Sequence, residues 1–439
     1  MAQLSLGRFS ALAVSPFVRS VGAFMIFTAV GQGIYLVAAP MIGRLFSPGE
    51  VGIYGLVLTI VTICAMFVCL YYDHAIPAAA SDQEALDLTK ACTTLALITC
   101  PLVGVMLSGL STSEALADQI PFWSGPIAAG ILFFFAITQL LQAWRVRRND
   151  TTVIAHANLT LNLVRGAGQV GGGLLAPTWW LLLLGELAGR AATMAHMIVH
   201  SRDGRVFRIG LGPDVRKTMR KYSEFPLVLL PSQGLDTVAQ FLQISGLTVL
   251  YGTSALGQYY LMRRTLDLPV AFFFRALGDV FYARQVTEAR SAPERIRPFF
   301  VKSVLLLALV GFAGSLPLIL FGRPMFLLVF GPNWGPAGTM AAIMAPAAVL
   351  NLAMAPVSRV FNLSRRPHLR FAFGAANLTG TLAVLALAYA EHFDILRTVA
   401  GISITTAAAY LVYFGAGWLA AADIRSPDGT SLNQEEAFV

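Results

Sequence analysis

The sequence predicts an all-α fold: a polytopic membrane protein of about twelve transmembrane helices in two six-helix lobes, with both termini on the cytoplasmic side. Three observations carry this expectation. Of 439 residues, 56% are hydrophobic and only 12% are charged, and the mean hydropathy is positive, whereas soluble domains are usually about a quarter charged. Stretches of the roughly 20 mostly apolar residues that a bilayer core requires recur along the whole chain. The lysines and arginines between them collect on alternate sides, as the positive-inside bias demands.

Taken in order, the expected spans cover residues 17–42, 51–73, 90–111, 125–144, 152–176 and 178–199 in the first half. In the second half they cover 226–250, 255–281, 299–322, 336–358, 370–390 and 395–420. The first apolar run is long, follows a weakly basic end and lacks a clear small-residue exit site, so it reads as a span and not as a cleaved signal. The fifth and sixth spans are separated only by Pro177 to Trp180 and must turn back at once, which leaves counts of eleven or thirteen open. Residues 1–200 form the expected N-terminal lobe, 201–225 a basic cytoplasmic linker, 226–420 the C-terminal lobe, and 421–439 a polar, disordered tail.

With the N-terminus inside, 22 of the 31 basic residues fall in the cytoplasm, three (Arg44, Arg323, Arg397) outside, and six within spans. The net charge of +8 is mostly this bias. It does not point to nucleic acid, because the basic residues are spread over separate loops and gather into no single face. Cys64, Cys69, Cys92 and Cys100 lie in spans two and three without zinc spacing and read as small core residues. Trp123, Trp179, Trp180 and Trp334 fall near outer boundaries, where aromatic belts belong. No GxxxxGK[ST] loop is present, which argues against a self-contained ATP-driven pump.

The two halves echo one another, the first echo 205 positions apart. "LFSPGEVGIYGL" (Leu45 to Leu56) aligns with "LYGTSALGQYYL" (Leu250 to Leu261), and "WRVRRND" (Trp144 to Asp150) with "NLSRRPHL" (Asn362 to Leu369), each of the latter placing an Arg pair at an inside exit. Two echoes in the same order fit two halves of like orientation about an axis along the membrane normal, as in many secondary transporters. The competing explanation is that Gly-x-Tyr simply recurs at helix starts.

Ionisable residues at membrane depth cost about 2.5–3.5 kcal/mol each on insertion scales, so they face a cavity or a partner. Ten fall inside the expected spans once Asp73, Lys90, Lys302, Arg370 and Arg397 at their ends are set aside, six basic and four acidic, a surplus of +2. Three pairs stand at i,i+4: Glu186 with Arg190, Arg263 with Asp267, and Arg275 with Asp279. Arg264 also neighbours Asp267, so one of Arg263 and Arg264 is left over. Arg19 enters the first span, Arg165 is near the middle of the fifth and Asp236 near the middle of the seventh. Two readings stay open for the last two. They bind one another across the halves, or Arg165 grips an anion with its planar fork while Asp236 exchanges a proton or sodium ion. Prolines 40, 226, 231, 269, 317 and 346 and the run "GQVGGGLL" suit helices that bend or approach closely.

"RLFSPGEVGIYGL", "YYDHAIPAA" from Tyr71, "KYSEFPLVLLPSQGLDTVAQFLQISGLTVLYGTSALGQYYL" and "RRTLDLPVAFFFRALGDVFYAR" (Arg263 to Arg284) resemble polysaccharide biosynthesis proteins of the oligosaccharide flippase (Wzx-like) type. That family sits within the multidrug, oligosaccharidyl-lipid and polysaccharide exporter superfamily. The likeness covers most of the chain in order, and Tyr222 to Arg284 is its most specific part.

The resemblance implies translocation of an undecaprenyl-diphosphate-linked oligosaccharide across a bacterial inner membrane by alternating access, for O-antigen, capsule or exopolysaccharide assembly. It implies a cationic cavity, here Arg19, Arg165, Arg263, Arg264 and Arg275, with ion coupling at Asp236 and Asp267. No cofactor is expected beyond a coupled proton or sodium ion, and no metal. The expected partners are the lipid-linked oligosaccharide, membrane lipids, and polysaccharide polymerase and chain-length proteins. A cation-coupled multidrug exporter is the alternative; its cavity would be dominated by acids and aromatics. A membrane glycosyltransferase or ligase is disfavoured because the outside loops are short and no soluble domain offers catalytic acids or bases.

Overall fold

The computed structural model describes residues 16–110, 121–148, 150–200, 209–291, 293–362, 369, 371–422 and 424, and all its secondary structure is helical. In the first half α1 is Pro16–Leu45, α2 Pro48–Val68, α3 Asp82–Leu110, α4 Ser124–Arg147, α5 Thr151–Leu175 and α6 Trp179–Val199. A short α7, Pro213–Lys221, and a π-helical turn, Phe225–Leu229, lead into α8, Leu230–Ser291. Then follow α9 (Ile296–Phe330), α10 (Gly335–Met354), α11 (Phe371–Ala390) and α12 (Ile395–Ala422). The expected segments fall on helical stretches over most of their described length, and the chain is a polytopic, all-α membrane protein.

Eight helices among the described residues are long and apolar enough to cross a membrane; α1, α5 and α8 are not among them. The shortfall in α5 has a cause in its composition. Asn158, Asn162, Arg165 and Gln169 give it a polar face, which in a membrane must look onto protein or water. At 62 residues α8 would be about 93 Å long if straight, three times a bilayer core, so it serves as two segments. They meet at Gly252, whose φ of 78° is left-handed and free of strain only for glycine. Helix α9 departs from helical geometry at Phe321, between Pro317 and Pro324, where ring constraints and missing amide donors explain the kink.

The chain divides into two compact units: one takes Met1–Phe46 and Ile60–Leu230, the other Ser47–Thr59 and Pro231–Val439. In the first, α1 packs on α5, α5 on α6, α6 on α4, α4 on α3 and α3 on α7. The linker helix therefore lies against the first unit. In the second, α9, α10, α11 and α12 pack about a core that includes Ile296, Phe300, Met354, Phe361 and Ala420. Trp334 is fully buried there, so it does not serve the interfacial belt.

The first echo of the repeat becomes a physical contact inside the second unit. A Cβ on Gly52 would stand 1.9 Å from the Thr253 carbonyl oxygen and 3.0 Å from the Gly257 nitrogen. A Cβ on Gly257 would stand 1.8 Å from the Pro48 carbonyl oxygen and 3.0 Å from the Gly52 nitrogen. Pro48 and Thr253, like Gly52 and Gly257, are 205 positions apart, so each contact is matched by its mirror. Such reciprocity (i to j and j to i) is the mark of a local two-fold axis, here passing between the two glycines. The Asn362 to Leu369 half of the second echo falls largely outside the described residues.

Candidate functional site

Arg165 is brought to its partners by glycine. Along α6, Gly185 and Gly189 stand one turn apart. A Cβ on Gly189 would lie 2.8 Å from the Arg165 Cβ, and one on Gly185 2.7 Å from the Gln169 Cγ. Small residues at this spacing let two helix backbones close up, which sets Glu186, on the same face of α6, beside Arg165 on α5.

Glu186 is fully buried and shared between two guanidiniums. Arg190 Nη2 lies 2.7 Å from its Oε1, and Arg165 Nη1 3.5 Å from its Oε2. Arg165 also donates from Nη2 to Asn162 Oδ1 at 2.5 Å, and its guanidinium sits 3.9 Å from the centre of the Tyr35 ring on α1. Tyr35 in turn donates to Gln169 Oε1 at 3.2 Å, while Arg190 stacks 4.6 Å from the Phe135 ring. The buried Nε atoms of both arginines have no hydrogen-bond partner among the described residues. Two guanidiniums and one carboxylate leave this cluster with a net charge of +1, and Arg165 is the more distant of the two cations from Glu186.

In the second unit Asp236 accepts from Asn377 Nδ2 on α11 at 3.0 Å and from Gln240 Nε2 at 2.8 Å. Thr406 on α12 donates to Asn377 Oδ1 at 3.3 Å. Gly374 permits this approach: a Cβ there would lie 2.8 Å from the Leu235 Cβ and 3.4 Å from the Asp236 nitrogen. A second chain of contacts runs close by in sequence. Arg263 lies 3.3 Å from Asp267 and donates to Gln243 Oε1 at 3.4 Å; Gln243 also accepts from Tyr259 and donates to Thr381.

The expected pairs Glu186–Arg190 and Arg263–Asp267 thus form. Asp236, one of the two partners the sequence offered for Arg165, bonds Asn377 and Gln240 within its own unit, and Arg165 takes Glu186 within the other. Of Arg263 and Arg264, Arg263 is the one that takes Asp267, and Arg264 makes a contact of its own. The side chains of Arg19 and of the Arg275–Asp279 pair lie outside the described residues.

Sequence reasoning missed Tyr35 and Asn162 beside Arg165, Asn377 beside Asp236, and Thr406, which bonds Asn377. It also missed a histidine row at the ends of α5 and α6: His156 and His196 have ring centres 6.4 Å apart, and His196 and His200 stack at 4.4 Å. Among the described residues no group of three or more His, Cys, Asp or Glu is placed to hold a metal ion. The four cysteines are free thiols, three of them buried.

Residues 41–338 match the family model described as polysaccharide biosynthesis protein. The chain belongs to this family. No curated protein matches this polysaccharide biosynthesis protein significantly. Among solved structures it is similar to the lipid II flippase MurJ in an inward closed conformation, with a TM-score of 0.69 and 10% identity, covering 89% of this chain and 86% of that one. It is also similar to an inward-facing multidrug resistance MATE family transporter of the MOP superfamily, with a TM-score of 0.64 and 13% identity, covering 90% and 95%. At such identity these likenesses establish the fold: that of multi-pass membrane transporters and flippases.

Proposed function

We propose that this protein flips an undecaprenyl-diphosphate-linked oligosaccharide from the cytoplasmic to the periplasmic leaflet of a bacterial inner membrane, by alternating access, for assembly of a surface polysaccharide. The observation that carries the reading is the buried Arg165–Glu186–Arg190 cluster, with its net positive charge, in a chain of the polysaccharide biosynthesis family. A guanidinium presents a planar fork to phosphate oxygens. Arg165, held at 3.5 Å from Glu186 and with an unpartnered Nε, is the group that turns to a diphosphate. Glu186 and Tyr35 hold it ready while the site is empty. Arg19, Arg263, Arg264 and Arg275 are the other members of the proposed cationic set.

Asp236 carries the coupling in this account, with Asp267 as a second acid. Asp236 accepts from the amide nitrogens of Asn377 and Gln240, and its carboxylate is the group that takes up a proton, or a sodium ion once those amides turn their oxygens to it. Flipping breaks no covalent bond, so no catalytic residue is assigned, and the flipped product passes to polymerase and chain-length proteins. Both termini and the basic linker lie in the cytoplasm.

The test follows lipid-linked oligosaccharide in cells that carry wild type, Arg165→Gln, Asp236→Asn or a deletion, with an impermeant sugar-binding reagent as the leaflet probe. Both variants and the deletion are expected to trap the intermediate on the cytoplasmic side. If the sugar reaches the periplasm equally in all four, flipping is not the function, and a dye-efflux assay becomes the measurement for the exporter alternative.

A further inference from the structure

The basic linker helix α7 packs alongside the charged start of α3. Helix α3 locates the membrane boundary: Asp82, Glu84, Asp87 and Lys90 fill its first nine positions, and no acidic or basic residue follows from Ala91 to Leu110. Those twenty residues rise about 30 Å, the thickness of a hydrocarbon core. The boundary therefore lies near Lys90.

Two contacts set α7 against this ruler. The Gly210 amide donates to Thr94 Oγ1 at 3.0 Å, one turn on the membrane side of Lys90. At the other end Lys221 donates to Glu84 Oε1 at 2.6 Å and Tyr222 to Glu84 Oε2 at 2.7 Å, beyond the boundary. Between them α7 rises about 13 Å alongside α3, through the layer of roughly 5–8 Å that head groups occupy on each side of the core. Ile209, at the deep end, is 64% exposed, as suits a side chain among acyl tails.

The helix turns one face to protein and the other outward. Val215 and Thr218 are buried, while Arg216, Lys217 and Arg220 are exposed. At about 100° per residue the three cations share one arc of about 100°, opposite the two buried positions. The nearest acids are Asp214, exposed on the first turn of α7, Glu224 just beyond it, and Glu84, which already holds Lys221 and Tyr222. Arg216, Lys217 and Arg220 form no ion pair with any described residue. A positive-inside bias by itself asks only that basic residues stay on one side; it does not align them on the solvent face of a helix whose height in the bilayer is fixed.

We propose that the Arg216–Lys217–Arg220 face of α7 binds anionic phospholipid head groups of the leaflet at the N-terminal end of α3. The phosphodiester of such a lipid shares its chemistry with the diphosphate of the proposed substrate, and the face commits to the bulk lipid: it is an open strip without walls, not a pocket. Each cation near an anionic surface strengthens the contact about fivefold at ordinary ionic strength.

The experiment is native mass spectrometry of the purified full-length protein with equal amounts of phosphatidylglycerol and phosphatidylethanolamine. Wild type is expected to retain phosphatidylglycerol preferentially, and less so as salt rises. R216Q/K217Q/R220Q is expected to lose most of that preference, at least tenfold, while R216K/R220K keeps it. Because all three side chains are exposed, the variants are expected to remain monodisperse on size exclusion. The proposal is overturned if the triple variant keeps the preference or the charge-conserving variant loses it equally. It is likewise overturned if equimolar inorganic pyrophosphate displaces the lipid, which would mark a discrete phosphate site, or if the face binds polyglutamate with no preference between the lipids.

Discussion

Replacing either glycine of the crossing at Gly52 and Gly257 with alanine is the sharpest perturbation the fold offers. The new Cβ on Gly257 would stand 1.8 Å from the Pro48 carbonyl oxygen, and that on Gly52 1.9 Å from the Thr253 oxygen. Real Cβ contacts essentially never fall below 3.0 Å, so the helix starts must part by about 1.2 Å (3.0 − 1.8) or 1.1 Å (3.0 − 1.9). The obstructing atoms are backbone and cannot rotate away. Overpacking of this kind costs roughly 1–3 kcal/mol. Because the contacts are reciprocal, Gly52→Ala and Gly257→Ala should cost nearly the same. The double variant should cost less than their sum, since the first substitution already opens the gap that the second needs. Gly33→Ala on α1, with open space where its Cβ would go, serves as the control and should be neutral or slightly stabilising. Thermal or denaturant unfolding of the purified protein reads all four. A silent alanine at either position, or one severe and one silent, would refute the local two-fold relation.

Other outcomes follow from the buried charges. Glu186→Gln leaves two guanidiniums without their shared carboxylate and should destabilise by about 3–5 kcal/mol; adding Arg190→Met to it should recover part of the loss, measured in the same unfolding assay. Gly189→Ala, whose Cβ would lie 3.1 Å from the Leu161 carbonyl oxygen, should weaken α5–α6 packing by about 1–3 kcal/mol and lower transport with it. Tyr222→Phe removes the bond to Glu84 and the one accepted from the Ala80 amide at 2.9 Å, a loss of about 1.5–3 kcal/mol for a bond to a charged group. Burial and then the bond to Glu84 push the Tyr222 phenol above its ordinary value. The unfolded chain therefore gives up this proton first, and stability falls as pH rises through about 10; the phenylalanine variant should lack that segment of the pH profile.

The apolar runs made the helices legible, because each must be long enough to cross a bilayer core, and the tight turn at Pro177 to Trp180 was visible as the only break between two of them. Pairs one turn apart, Glu186–Arg190 and Arg263–Asp267, were legible because helix geometry alone puts them together. The partners of Arg165 and Asp236 were not. Glu186 reaches Arg165 only because Gly185 and Gly189 let α6 close on α5, and the sole trace of that is a Gly-x-x-x-Gly spacing in a glycine-rich chain. Asn377 reaches Asp236 across 141 positions, beside Gly374, and an asparagine in an apolar helix carries no mark of its partner. The repeat was readable as four identities in twelve, but its meaning, a backbone contact at the axis, needed coordinates. The linker read as a basic loop between halves; that it docks along α3 depends on Tyr72 donating to the Met219 carbonyl and on the Glu84 contacts, neither of which has a local signature.

The most direct test of the central claim uses sealed vesicles that hold the purified protein and a labelled undecaprenyl-diphosphate oligosaccharide confined to one leaflet. An impermeant lectin follows its arrival on the other. The account predicts transfer well above that of protein-free vesicles for wild type and transfer at the protein-free rate for Arg165→Gln folded to wild-type stability. Wild-type transfer no faster than in protein-free vesicles would contradict it.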